Sequence, residues 1–127
     1  MKLVEIENEL VVDDIEKSLM FYETIFGYKL IDSCGEPIVW AKIKKDNCTM
    51  MLQSYKEICN EINNYPKKTN TSNIIMFRFD NKNKLLELYN EIKENKINIF
   101  LEYNETEYGN IEFGILDPDN NRIIISG

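Results

Sequence analysis

The sequence predicts an α+β protein in which one βαβββ module is written twice. Two observations carry that prediction. A strand-to-helix corner, Val11-Val12-Asp13-Asp14-Ile15-Glu16-Lys17-Ser18 running on to Phe21-Tyr22, has a degenerate copy in Phe77-Arg78-Phe79-Asp80-Asn81-Lys82-Asn83-Lys84-Leu85 running on to Leu88-Tyr89. Setting Asn81 under Asp14 places Phe79 under Val12, Leu85 under Ser18, Leu88 under Phe21 and Tyr89 under Tyr22. After each corner come three short strand-like segments, and internal repetition of this kind decides a fold before any single residue does.

Residues 3–12 read as a strand. Glu5, Glu7, Glu9 and Val11 fall on one face, and Ile6, Asn8, Leu10 and Val12 fall on the face that meets the helix. Asp13 with Glu16 three residues on is the predicted capping pair at the helix start. Ile15, Leu19, Tyr22, Ile25 and Phe26 form an apolar stripe at helical spacing, and Gly27 can take the left-handed conformation that ends a helix. Strands follow near 28–33, 37–44 and 48–54, separated by Cys34-Gly35-Glu36-Pro37 and by Lys45-Asp46-Asn47. The polar stretch 55–71 is the expected connection between halves, and Tyr55 to Ile62 can form a short helix.

In the second half, strand 73–80 turns Ile75, Phe77 and Phe79 to the helix and Ile74, Met76 and Arg78 the other way. A helix near 82–95 carries Leu85, Leu86, Leu88, Tyr89 and Ile92. Strands near 97–104, 109–116 and 122–126 complete the half. Asp117-Pro118-Asp119-Asn120-Asn121 is a strong turn, with proline preset for its second position and asparagine tolerant of positive φ. The chain is read as one domain, 1–127, with a first module over 1–54, a connection over 55–71 and a second module over 72–127.

With 127 residues, 43% hydrophobic and 29% charged, the chain has the composition of an ordinary globular domain. A net charge of -7 writes no basic face, which excludes a nucleic-acid partner. No apolar run has signal-peptide or bilayer-spanning length, so the expectation is a cytoplasmic protein without a membrane role. Cys34, Cys48 and Cys59 form no C-x-x-C pair and read as reduced thiols. The absence of histidine removes imidazole base chemistry, histidine-activated nucleophiles and every histidine-ligated metal site.

The doubled βαβββ order, the first corner with Phe26-Gly27-Tyr28 behind it, and Leu116-Asp117-Pro118-Asp119-Asn120-Asn121-Arg122-Ile123 together resemble the vicinal oxygen chelate superfamily. That group includes glyoxalase I, bleomycin-resistance proteins, fosfomycin-resistance enzymes and extradiol dioxygenases. The resemblance covers nearly the whole chain. It implies an incurved mixed sheet with the helices on its convex side, and a divalent metal held on the concave side in the enzymes. It places the metal ligands at Glu7, at Leu52 with Gln53 beside it, at Ile74 and at Ile124. One oxygen ligand among aliphatic side chains cannot replace the hydration shell of a divalent cation, so no metal and no cofactor is expected.

The same resemblance turns a set of side chains into the concave cleft. From the first half come Glu7, Glu9, Val11, Met50 and Leu52, with Trp40 at the edge. From the second come Ile74, Met76, Arg78 and Ile124. An apolar cleft with a few polar groups is the usual make-up of a small-molecule site. Glu7 is also the catalytic candidate, as a base in a metal-free variant; the reading favoured over a functional role is a partly solvated strand carboxylate, with Arg78 as its candidate partner. Arg78 is open between an ion pair and an anion-binding role.

Three functions stay open at this point. One is metal-independent sequestration of a small molecule, as in bleomycin-resistance proteins, where an acidic chain suits cationic glycopeptides. Another is a glyoxalase-like lyase or thiol transferase with a non-standard or absent metal site. The third is a non-catalytic dimeric interaction module. The resemblance implies a homodimer in each case.

Overall fold

The structure, a computed structural model, describes residues 1–68 and 72–127. It divides into two compact units, one of residues 1–68 and one whose described part is 72–127. Each holds a four-stranded mixed sheet, and three α-helices complete the α+β architecture. Of the expected connection over 55–71, residues 69–71 lie outside the described residues.

The first unit runs β1 (Glu9–Val12), α1 (Ile15–Phe26), β2 (Lys29–Cys34), β3 (Trp40–Lys45), β4 (Cys48–Ser54) and α2 (Tyr55–Glu61). Its strands lie in the order β1-β4-β3-β2, with β1 parallel to β4 and the other pairs antiparallel. Parallel pairing needs a crossover, and α1 supplies the start of it. Asp14 rather than Asp13 caps α1: Asp14 is in an extended conformation and its carboxylate accepts from the Lys17 N–H at 3.1 Å. Asp13 instead pairs with Lys68, Nζ to Oδ1 3.1 Å. Gly27 closes the helix at φ 76°, as its position after Phe26 predicts.

One face of this sheet forms the core. Leu10, Val12, Ala41, Ile43, Met50 and Leu52 are all buried there, and α1 lies against β3 and β4. The helix contributes Ile15, Ser18, Phe21, Tyr22, Ile25 and Phe26, a broader stripe than spacing alone predicted. Tyr22 is the hub of an aromatic cluster, edge-on to Phe21 at 5.0 Å and to Tyr28 at 6.1 Å, and stacked on Phe26 at 6.2 Å. Each fully buried side chain of this size contributes about 1.5–3 kcal/mol.

The expected strand over 3–12 is shorter than its alternation suggests. Residues 1–8 lie outside regular structure, and Leu3, Val4 and Ile6 are exposed. Alternation marks a competent strand, but backbone groups must also meet a partner. The ladder to β4 reaches back no further than the Met51 N–H donating to the Asn8 carbonyl at 3.0 Å.

The second unit repeats the plan: β5 (Ile74–Arg78), a single 3-10 turn over Lys82–Lys84, α3 (Leu85–Glu94), β6 (Ile99–Glu105), β7 (Ile111–Leu116) and β8 (Arg122–Ser126). The order is β5-β8-β7-β6, with β5 parallel to β8. Asn81 caps the 3-10 turn through its side chain, which accepts from the Asn83 N–H, so the aligned pair Asp14 and Asn81 does the same work twice. Ile123, Ile125, Phe113 and Ile115 are buried on one face, and Tyr89 of α3 sits over Phe113 at 5.1 Å. The Asp117 turn forms as predicted. Its carboxylate accepts from the backbone N–H of Asp119 and Asn121 and from the Asn121 amide, while Asn120 takes φ 63°.

Candidate functional site

Opposite the core face, each sheet presents a second face whose composition follows from strand register. Directly paired residues point to the same side, and a slip of one residue exchanges the two sides. In the first unit, Glu9 pairs with Met51 and Met51 with Lys42; Val11 pairs with Gln53 and Gln53 with Trp40. These two rows are the open face. The Trp40 indole N–H donates to the Glu9 carboxylate at 3.0 Å, which fixes the ring over the edge of the rows. Glu7 lies in the exposed segment before β1 and its carboxylate is 3.9 Å from the Lys42 ammonium. Both partners are substantially exposed, so this pair contributes about 0–1 kcal/mol at most. Within its own unit Glu7 therefore pairs with Lys42.

Register also corrects two expected cleft residues. Met50 and Leu52 point to the helix side, paired with Ile43 and Ala41 and buried in the core; Met51 and Gln53 take their places on the open face. Met50, Met51 and Leu52 are consecutive apolar residues, so alternation gives no parity across them, and the pairing with β1 and β3 decides it.

In the second unit the expected placement of Ile74, Met76 and Arg78 holds: all three face away from the core, and Ile74 and Met76 are each 52% exposed. Met76 pairs with Ile124 and Ile124 with Gly114. Arg78 pairs with Ser126 and Ser126 with Glu112 in the next row. Two features here had no place in the sequence expectations. Phe100 lies across Gly114, where any Cβ would come within 2.5 Å of the ring carbon Cζ, and the ring remains 45% exposed. Ser126 is 1% exposed, and its hydroxyl oxygen is buried with no hydrogen-bond partner among the described residues. A buried unsatisfied polar group costs about 1–3 kcal/mol. A glycine inside a strand is the sequence signal that marks such a close approach.

The Tyr28 and Tyr89 hydroxyls are displaced from their ordinary values, and both belong to the helix sides. Burial, and then the charge of Cys48, raise the Tyr28 hydroxyl. The Tyr89 hydroxyl is raised by its hydrogen bond to the Glu102 carboxylate, with desolvation second. Both tyrosines sit in aromatic clusters of the core, so these shifts are structural.

The family model described as Glyoxalase/Bleomycin resistance protein/Dioxygenase superfamily matches residues 2–125. The chain belongs to that superfamily. Solved structures agree on the fold. A hypothetical protein of S. aureus superposes with TM-score 0.80 at 20% identity, over 99% of this chain and 94% of that one. A family enzyme from Burkholderia phytofirmans PsJN gives 0.78 at 18%, over 93% of each. A lactoylglutathione lyase from Agrobacterium tumefaciens gives 0.75 at 20%, over 97% of this chain and 92% of that one. No curated protein matches the chain.

The metal positions that the superfamily resemblance implies can be tested unit by unit. With the β4 parity corrected, the first unit offers Glu7 with either Met51 or Gln53, and the second offers Ile74 and Ile124. That is one carboxylate, one thioether or amide, and two alkyl groups. Among the described residues no three acidic or cysteine side chains gather as a cation would require. The residues present do not fit a divalent metal. No helix among the described residues is long and apolar enough to cross a membrane.

Proposed function

We propose that the protein binds a small organic molecule on its open sheet faces without a divalent metal, a sequestering member of the superfamily and not a lyase. One observation carries this reading: of the four superfamily ligand positions, Ile74 and Ile124 put alkyl groups where a metal needs donors, and Glu7 alone brings a carboxylate. The side chains around them keep the mixture expected of a ligand surface, with an indole anchored by a carboxylate on one face and exposed aliphatic and aromatic groups on the other. Adaptable thioethers at Met51 and Met76 suit the same role. The lyase name of the Agrobacterium relative stays with that protein.

The test is metal content of natively purified protein by mass spectrometry, with thermal-shift series in nickel, zinc, manganese and cobalt. The expected result is substoichiometric metal and no concentration-dependent stabilisation. A melting temperature that climbs with metal concentration, as linkage demands of a bound ion, overturns the reading.

A further inference from the structure

We infer that the open face of the second unit is a site for a flat aryl carboxylate, its ring stacked on Phe100 and its carboxylate held by Arg78 and Ser126. This rests on the proposed small-molecule role and names the ligand class for one of its faces.

Three independent features converge there. Gly114 lets Phe100 lie flat against the sheet, because a side chain at 114 would collide with a rigid ring. The ring is thus presented with one face to solvent, beside Ile124 and Met76. An aromatic face so placed takes another ring in an offset stack. Arg78, on the neighbouring row, is exposed and forms no ion pair or hydrogen bond among the described residues. A guanidinium is built for two-point capture of a carboxylate. Between them Ser126 turns a buried hydroxyl, without a partner among the described residues, to the same face. A buried hydroxyl left unpaired asks for an explanation, and a ligand acceptor beside it is one.

Spacing sets the ligand's length. Gly114 and Ser126 are one strand and two residues apart, about 8 Å on ordinary sheet dimensions. That is the reach of a two-ring aromatic acid. Glu112 flanks Ser126 on the side away from Arg78 and repels an anion, so the carboxylate sits between Ser126 and Arg78.

The experiment is calorimetric titration of the full chain with 2-naphthoate, with its neutral amide and with the cationic 2-naphthylmethylammonium. The expected result is saturable binding of the carboxylate, at least tenfold weaker for the amide. Arg78→Gln loses at least tenfold, Phe100→Leu and Ser126→Ala lose severalfold, and Lys84→Gln, which removes an exposed cation at the start of α3 on the helix side of the same sheet, loses nothing. Circular dichroism confirms that each variant is folded. Absence of carboxylate binding, equal affinity for carboxylate and amide, or an Arg78→Gln variant that binds as well as the parent overturns the inference. If the amide or the ammonium binds while the carboxylate does not, the small-molecule role stands and this assignment falls.

Discussion

Leu52→Ala and Met51→Ala, made separately, test the register on which every statement about the open faces depends. Leu52 is fully buried between Leu10 and Ala41 in the pairing order, whereas its neighbour Met51 is half-buried on the other side. Truncating a fully buried leucine removes its transfer energy and leaves a cavity, at a cost of about 3 kcal/mol. Truncating a half-exposed methionine forfeits only part of its burial, about 1 kcal/mol. A chain of 127 residues unfolds with an entropy of about 0.27 kcal/mol/K, so the two costs lower Tm by about 11 °C and about 4 °C. Thermal melts followed by circular dichroism read both values. If Met51→Ala melts below Leu52→Ala, the parity of β4 is reversed, and Met50 and Leu52 return to the open face.

Two further outcomes follow from the helix cap and the tyrosines. Asp14→Ala removes the α1 cap and should cost about 1 kcal/mol in urea unfolding, while Asp13→Ala, which loses an ion pair to Lys68 from a largely exposed carboxylate, should cost less; equal costs would refute Asp14 as the cap. Because the folded hydroxyls of Tyr28 and Tyr89 hold their protons above the ordinary value of 10.0, stability is fully present below about pH 10 and is lost as pH rises beyond it. Urea midpoints measured from pH 8 to pH 11 should fall, and fall less in Tyr89→Phe; a flat profile refutes the shifts.

What the sequence made legible was local. The cap at Asp14 and its copy at Asn81, the glycine stop at Gly27 and the Asp117 turn each need only a few neighbouring residues, and each forms as its chemistry dictates, with the first cap one residue later than expected. What stayed hidden depends on partners. The parity of Met50-Met51-Leu52 is set by the ladders to β1 and β3, and no alternation across three apolar residues records it. Residues 3–7 carry a good strand pattern but no ladder. The Phe100 platform needs the irregularity between Ile99 and Leu101 and the missing side chain of Gly114, two facts from different strands. Of the candidate site, Glu9, Val11, Trp40, Ile74, Met76, Arg78 and Ile124 keep the face assigned to them, Met50 and Leu52 do not, and Glu7 lies outside the sheet.

The separation of each sheet into a sealed side and an exposed side has an evolutionary corollary. Residues that keep the chain folded and residues that meet the outside world alternate along the same strand, so they mutate under different constraints although they are nearest neighbours. A substitution at 74, 76 or 124 leaves the packing under α3 untouched, just as one at 51 or 53 spares the packing under α1. Two copies of one scaffold could thus drift apart chemically, one acquiring an indole and carboxylates, the other a phenyl ring and aliphatics, at little cost to folding. The specificity of each copy is a coat that can be changed without rebuilding the frame beneath it.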